Sequence, residues 1–313
     1  MTRLKLDESQ RLLTSSPTIS TLDPRPSTGF TLIEVLVVVT LLALIIFALM
    51  AVFNTTQRAF RASITQTDVL EGGRATMDLI ATDLKPMTPV LMNEQSNMPN
   101  FYTQIENSFN QNLTASTNTH YNVMDDVFFI TRENQTWKGI GYFVRTNGYF
   151  ARISTQAADS GLGNEASLFR YETNASVSQF AANQFALRNG YDKARINLTN
   201  MPGVSKILDG VMSFKVRAFD PNGNWLTNYN NNGNISATNF PVEGEVGTYD
   251  FYSNALPASV EIELGVLEDR ALKRVESLPT ALLQTNYLAA QAGKVHIFRQ
   301  RISIPNADPA AYQ

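Results

Sequence analysis

The chain contains no cysteine among its 313 residues. A disulfide, a zinc–thiolate centre and a thiol nucleophile are therefore excluded, and any folded domain must hold itself by its core and its sheet. Histidine is nearly as scarce. His120 and His296 are the two in the chain, and they stand too far apart in sequence for a paired metal motif. A solvated or packed imidazole is the plainer reading of each. No phosphate-binding loop, dinucleotide fingerprint, nucleophile elbow or zinc-hydrolase signature occurs anywhere. Lysine and arginine form no dense run, and the net charge is −3. That balance argues against nucleic acid as an obligate ligand, because phosphate binding relies on clustered cations. Expected, then, is a protein that is not an enzyme, with no catalytic residue, no metal and no cofactor.

Proline is missing too, over one long stretch. None occurs from Gly29 to Lys85, between Pro26 and Pro86. Within that window lies the most apolar part of the chain. From Leu32 to Phe53 a single charge interrupts it, Glu34, at its start. About 20 apolar residues in a helix reach roughly 30 Å, the thickness of a bilayer's hydrocarbon core. Residues 30–53 thus read as a membrane-spanning helix. A carboxylate in its first turn costs several kcal/mol unless it finds a partner or reaches the interface.

Past Phe53 the pattern turns amphipathic. Phe60 and Ile64 are four apart, and Leu70, Gly73, Met77, Ile80 and Leu84 recur at helical spacing. The helix is expected to run from about Thr31 to Lys85, roughly 80 Å, and to end at Pro86 and Pro89. Its second half, residues 54–90, should lay that stripe on a following domain. Gly72–Gly73 would either loosen the helix locally or admit a close neighbour.

Residues 1–28 are polar, carry Pro17, Pro24 and Pro26, and read as unstructured. Residues 91–120 read as a long polar loop, with some helical character near Tyr102–Phe109. Strand signals follow. They are Val127–Ile130, Trp137–Arg145, a hairpin through Asn147–Gly148 into Tyr149–Ile153, and Leu168–Tyr171. Residues 154–166 read as a loop and residues 173–200 as helical or irregular. Lys206–Phe219 reads as a half-buried strand, Asp220–Trp225 as a turn, Asn228–Asn239 as a loop and Leu256–Leu264 as a period-2 strand. Val275–Leu288 is a short helix or loop, and Val295–Ile304 the last strand. Asp220, Asn222 and Asn224 have the alternating oxygen spacing that opens a calcium loop, but the twelfth position is Asn231 in place of a glutamate. A plain turn is the better reading. The fold class expected is α+β: a long N-terminal helix, membrane-spanning in its first half, packed on an antiparallel β-sheet domain of residues 91–313.

The residues Gly29-Phe30-Thr31-Leu32-Ile33-Glu34 and the apolar run behind them resemble the N-terminus of type IV prepilins and pseudopilins. The resemblance covers about 22 residues: a glycine, a phenylalanine, a glutamate four residues on, then an uninterrupted apolar helix. It implies that residues 1–29 are a leader and that a prepilin peptidase/methyltransferase cuts between Gly29 and Phe30. It implies also that Phe30 becomes the N-methylated residue and that Glu34 serves subunit assembly, pairing with a neighbour's terminal amine. Partners implied are the inner membrane and other major and minor pseudopilins or pilins. The implied topology is single-pass, with the N-terminus cytoplasmic before processing and the globular domain periplasmic. Charge says little about orientation, since Arg11 and Arg25 before the run are matched by Arg58 and Arg61 after it. The leader departs from the short basic form usual in that family. An ordinary signal anchor or a cleavable secretory signal are the other readings. The second is disfavoured by the length of the apolar run and the weakness of Leu49-Met50-Ala51 as a cut site.

Further along, the order of pieces resembles the J-type minor pseudopilin of type II secretion. The shared features are a Phe-rich strand, a hairpin ending near Arg152, Leu208-Asp209-Gly210-Val211 leading into Phe214, then Asp220 and Trp225, and Leu256-Pro257-Ala258-Ser259-Val260-Glu261-Ile262. That resemblance implies a subunit at the tip of a short periplasmic filament. A type IV minor pilin for adhesion, motility or DNA uptake, and an unprocessed anchored periplasmic binding protein, are the alternatives.

Overall fold

A computed structural model describes residues 29–90, 98–112, 119–146, 166–183, 185–196, 202–231, 234–239 and 247–312. The expected Asn147–Gly148 hairpin, the loop at 154–165 and the unstructured segment 1–28 lie outside them. The chain divides into two units, one ending at Arg58 and the other running from Ala59 to the C-terminus.

Helix α1 spans Leu32–Leu84, 53 residues, and passes through Gly72 and Gly73 without a break. The side chains of the first unit's described residues are exposed throughout. Here α1 satisfies its own polar groups, as a helix in a non-aqueous medium must. The Thr40 hydroxyl donates to the Val37 carbonyl, and those of Thr55 and Thr56 to the carbonyls of Ala51 and Val52.

In the second unit the rest of α1 is buried along one stripe: Val69, Gly73, Thr76, Met77, Ile80, Ala81 and Leu84. The expected period is there, with Val69 taking the place of Leu70 at its start. Thr76 keeps its hydroxyl satisfied by donating to the Gly72 carbonyl at 2.8 Å. The stripe packs on a sheet whose strands are β1 (Phe101–Asn112), β2 (Thr119–Glu133), β3 (Thr136–Thr146), β4 (Ala166–Ser176), β5 (Val204–Asp209), β6 (Val211–Phe219), β7 (Tyr229–Asn231), β8 (Ile235–Asn239), β9 (Gly247–Phe251), β10 (Ser259–Leu267) and β11 (Val295–Ser303). The order β11-β10-β6-β2-β1-β9-β8-β7 is open at its ends, and β3, β4 and β5 branch from β2. All pairings are antiparallel except one bridge between Met124 and Phe214.

The run Val127–Ile130 is apolar without alternation because both faces of β2 are covered. Val127 and Phe129 join the core that contains α1. Phe128 and Ile130 point the other way, into a second cluster under α2 (Val177–Ala182) and α3 (Ala186–Ile196). Glycine makes the close approach of α3 feasible. A Cβ at Gly141 on β3 would stand 2.2 Å from the Tyr191 ring. A third cluster sets Met212 and Leu267 against Ala271, Leu272 and Val275 of α4 (Asp269–Glu276) and Leu288 of α5 (Ala281–Ala290).

Four expectations need correction. Residues 101–112 form a strand, neither loop nor helix. Their polar sequence pairs along β2, Phe101 opposite Phe129 and Asn112 opposite Thr119, so tertiary pairing overrides weak propensity. The supposed loop Asn228–Asn239 contains β7 and β8, which extend the sheet beyond β9. Lys206–Phe219 is two strands, split at Gly210, whose φ of +73° an L side chain rarely adopts. Nor is its second half exposed on one side: Val211 to Ala218 are all buried. The alternation of Phe214, Val216 and Ala218 with Lys215 and Arg217 divides core from charge instead. Arg217 Nη1 lies 2.7 Å from Glu261 Oε1, and Lys215 Nζ lies 3.5 Å from Glu263 Oε1. Lastly, Glu261 and Glu263 are the polar half of β10's alternation, which begins at Ser259 and not at Leu256.

Polar groups also fix α1 to the sheet. Asp83 accepts from Arg170 Nε at 2.6 Å, from Arg170 Nη2 at 3.1 Å and from the Tyr142 hydroxyl at 2.5 Å. Just past the helix, Val90 N donates to Asn100 Oδ1, while Asn100 Nδ2 donates to the carbonyls of Ser253 and Ala255.

Replacing Gly73 with Ala is expected to destabilise the domain by about 1–3 kcal/mol by overpacking. The new Cβ would fall 2.2 Å from the Phe298 ring. Adding Phe298→Leu should recover part of that loss in a thermal melt of the detergent-solubilised chain. Alkali should unfold the domain as well. Burial pushes the hydroxyls of Tyr142 and Tyr191 upward, and those of Tyr249 and Tyr252 up to about 12. A hydroxyl raised in the fold stabilises it while neutral. That contribution is complete below about pH 10, the unfolded value, and disappears as pH rises through the folded values. Circular dichroism followed against tyrosinate absorbance should show loss of structure beginning above about pH 10.

Candidate N-terminal processing and assembly site

Gly29 precedes α1 in an open position, with no heavy atom within 4 Å of a Cβ built on it. Phe30 is 87% exposed. Together they present an accessible peptide bond ahead of a helix start, the arrangement that an enzyme acting on backbone requires.

The helix start is built from two side chains. Thr31 lies just outside α1, and its carbonyl accepts the first helical bond, from Val35 N at 3.2 Å. Its hydroxyl oxygen accepts from Glu34 N at 3.4 Å. Glu34, at the third helical position, reaches back. Its Oε2 accepts from Thr31 N at 2.9 Å and from the Thr31 hydroxyl at 2.8 Å. This is a capping box, which satisfies two of the amides a helix leaves without partners. A negative charge at a helix N-terminus is favoured also by the peptide dipoles. Sequence reasoning picked out Glu34 and missed Thr31. The Thr-x-x-Glu spacing ahead of an apolar run was the available signal.

Among the described residues Glu34 forms no ion pair, and its hydrogen bonds go to Thr31 alone. The apolar side chains that follow, Val35 through Phe53, are exposed. α1 is the one described helix long and apolar enough to cross a membrane, its most apolar window having a mean hydropathy of 3.2. A single such helix near the N-terminus, followed by a sheet domain, is a single-pass arrangement.

The other residues singled out from sequence are accounted for within the fold. His296 on β11 stands 3.4 Å from Glu268 Oε1. His120 lies on β2 and not in a loop. Asp220 accepts from Asn224 N at 2.7 Å and from Asn224 Nδ2 at 3.1 Å, so the turn itself uses the oxygens that calcium would need. Among the described residues no three of His, Asp and Glu gather in a metal-binding group. Many arginines are engaged internally. Arg145 and Arg195 both meet Asp126, Arg170 meets Asp83, and Arg299 meets Glu263.

A family model described as the prokaryotic N-terminal methylation motif matches residues 24–50, a span that contains Gly29, Phe30, Thr31 and Glu34. No curated protein matches the chain.

Thr31→Val is expected to remove both hydroxyl contacts and weaken the first turn by about 0.5–2 kcal/mol. Amide exchange at Ile33 and Glu34 in bicelles should then speed up, while exchange at the middle of the apolar run stays unchanged.

Proposed function

We propose that this chain, which carries the N-terminal methylation motif typical of type IV prepilins and pseudopilins, is a structural subunit of a membrane-rooted filament. It is not an enzyme. The motif implies a prepilin peptidase/methyltransferase as its processing partner.

In this reading residues 1–29 are the leader, residues 30–53 the membrane span, 54–90 the continuation of the helix and 91–313 the globular domain. Cleavage after Gly29 frees the amine of Phe30, which is then methylated. The precursor crosses the inner membrane once, with its N-terminus cytoplasmic and its domain periplasmic. Glu34 supports the assembly role by its chemistry. It is a carboxylate in the first turn of an apolar helix, held by neutral donors alone. A cationic amine from a neighbouring subunit supplies the charge it lacks, and such a pair in a water-poor core fixes register strongly because either partner alone is costly there.

The finer reading is a minor pseudopilin of a type II secretion-like periplasmic filament, with major and minor pseudopilins as neighbours. The chain order supports it. Leu208-Asp209-Gly210-Val211 joins β5 to β6, and Leu256-Pro257-Ala258 leads into β10. The type IV minor pilin and the unprocessed anchored binding protein are the competing outcomes.

The observation that carries the reading is the methylation motif with Glu34 in its first helical turn. Mass spectrometry of the mature chain should find an N-methylated Phe30 terminus. An uncut N-terminus would leave only the anchored binding protein. Gly29→Ala should accumulate precursor on a gel. Glu34→Ala should be cut normally yet fail to enter filaments, and normal co-assembly of that variant would remove Glu34 from the mechanism. The subunits that co-purify with the wild-type chain separate a secretion filament from a pilus.

A further inference from the structure

We infer that the outer edge of β11 docks an extended acidic strand of a partner protein, one that carries Asp or Glu at two alternate positions opposite Arg299 and Arg301. This rests on the sheet domain alone and holds whether or not the chain enters a filament. β11 ends its sheet, with β10 on one side and no strand on the other among the described residues. It pairs with β10 from Val295–Leu267 to Ser303–Ser259 without a bulge. The other terminal strands offer less. β7 has three residues, and Leu208 of β5 sits against α1, 3.3 Å from where a Cβ on Gly72 would stand. A long, regular edge is a template for a further strand.

The register shows which groups face outward. At the two ends of the pairing, Glu268 N donates to the Lys294 carbonyl and Ile304 N to the Ala258 carbonyl. Opposed residues of an antiparallel pair alternate between bonded and non-bonded, so the even-numbered residues of β11 turn their backbone to β10. The odd-numbered ones, Ile297, Arg299 and Arg301 among them, turn theirs away. Their side chains share the outer face, opposite Phe298 and Ile302, which join the core.

That face carries a charge series. Lys215 and Arg217 on β6 stand opposite Glu263 and Glu261 on β10, which stand opposite Arg299 and Arg301 on β11. The rows run basic, acidic, basic, and the series stops on a basic row at the edge. Glu263 is 11% exposed whereas Arg299 is 53% exposed. A strand that continues the series brings acids at alternate positions, and opposite charges on facing residues favour the pairing. Ile297, 65% exposed on the same face, calls for an apolar residue two positions beyond the second acid.

Charged side chains along an edge ordinarily keep other strands away. Here both arginines are drawn back over β10. Arg299 Nη2 lies 2.5 Å from Glu263 Oε2. Arg301 Nε donates to Ser259 Oγ at 2.8 Å, and its guanidinium lies 3.7 Å over the Phe219 ring. They discriminate between strands and do not block the edge. An antiparallel β11 from a second copy, in full register, would set Arg299 opposite Arg299, and like charges directly opposite are destabilising. The edge thus rejects its own copy and selects a different chain.

The test uses full-length chain in detergent and two labelled peptides, one alternating Glu with Val and one alternating Lys with Val, followed by fluorescence polarisation. The Glu peptide should bind about tenfold more tightly, as expected for two cross-strand pairs changed from attractive to repulsive. It should slow amide exchange at Ile297 and Arg301 and leave Tyr229–Asn231 unchanged. Ile297→Pro removes an outward-facing donor and no bond to β10, so it should abolish binding with little change in the thermal melt. Arg299→Glu with Arg301→Glu should reverse the preference in favour of the Lys peptide. If that double variant melts early, Ile297→Pro alone decides. Equal binding of the two peptides, protection elsewhere in the sheet, full binding by Ile297→Pro, or disulfide-linked dimers from Arg299→Cys alone would overturn the inference. None of these results bears on cleavage at Gly29 or on Glu34, so the filament reading stands or falls separately.

Discussion

One helix has to meet two environments, and the rest of the molecule follows from how its second half is buried. Seven residues of α1, from Val69 to Leu84, pack on the sheet core. They include a glycine that lets the Phe298 ring lie almost against the helix backbone. With α1 on one face, the strands beneath it have that side covered. The opposite face of β2 and β3 is covered by α2 and α3, through Phe128, Phe143 and Tyr191. Strands covered on both sides lose their polar alternation, which accounts for Val127–Ile130. On β6, β10 and β11, away from the end that α4 and α5 cover, the alternation survives as ladders of Lys, Arg and Glu.

What could be read in advance follows the same division. The helix was legible to within a residue at each end, because an apolar run, a missing proline and a terminal Pro86 all agree. Strands with apolar content, at Val127, Trp137, Leu168 and Val295, were legible too. The polar strands were not. Nothing local marks Phe101–Asn112 or Tyr229–Asn231 as extended; they are strands because β2 and β8 offer edges to pair with. Gly210 could have been recognised as a strand break, but a glycine within an alternating pattern is ambiguous until its φ is known. At the N-terminus, the resemblance singled out Gly29, Phe30 and Glu34. The part played by Thr31 was missed, although its spacing to Glu34 is a local signal.

The charges tell a consistent story. Within the domain, arginines and acids are matched to one another, as in Arg145–Asp126 and Arg217–Glu261. Buried pairs of this kind contribute modestly to net stability but are expensive to break singly, so they fix which elements meet. On α1 outside the domain contact, the charges are left for solvent or for other chains.

The bond network at Asp83 has a mechanical meaning. Tension carried along α1 enters the domain over the buried stripe from Val69 to Leu84, and the last turn adds a polar anchor to it. There Asp83 is held at once by two nitrogens of Arg170 and by the hydroxyl of Tyr142. Arg170 lies on β4 and Tyr142 on β3, neighbouring strands that run antiparallel, with Arg170 directly opposite Tyr142. The load is therefore shared between two strands of one ladder. The junction is a clamp that joins the helix end to both strands, so releasing it requires breaking contacts on each.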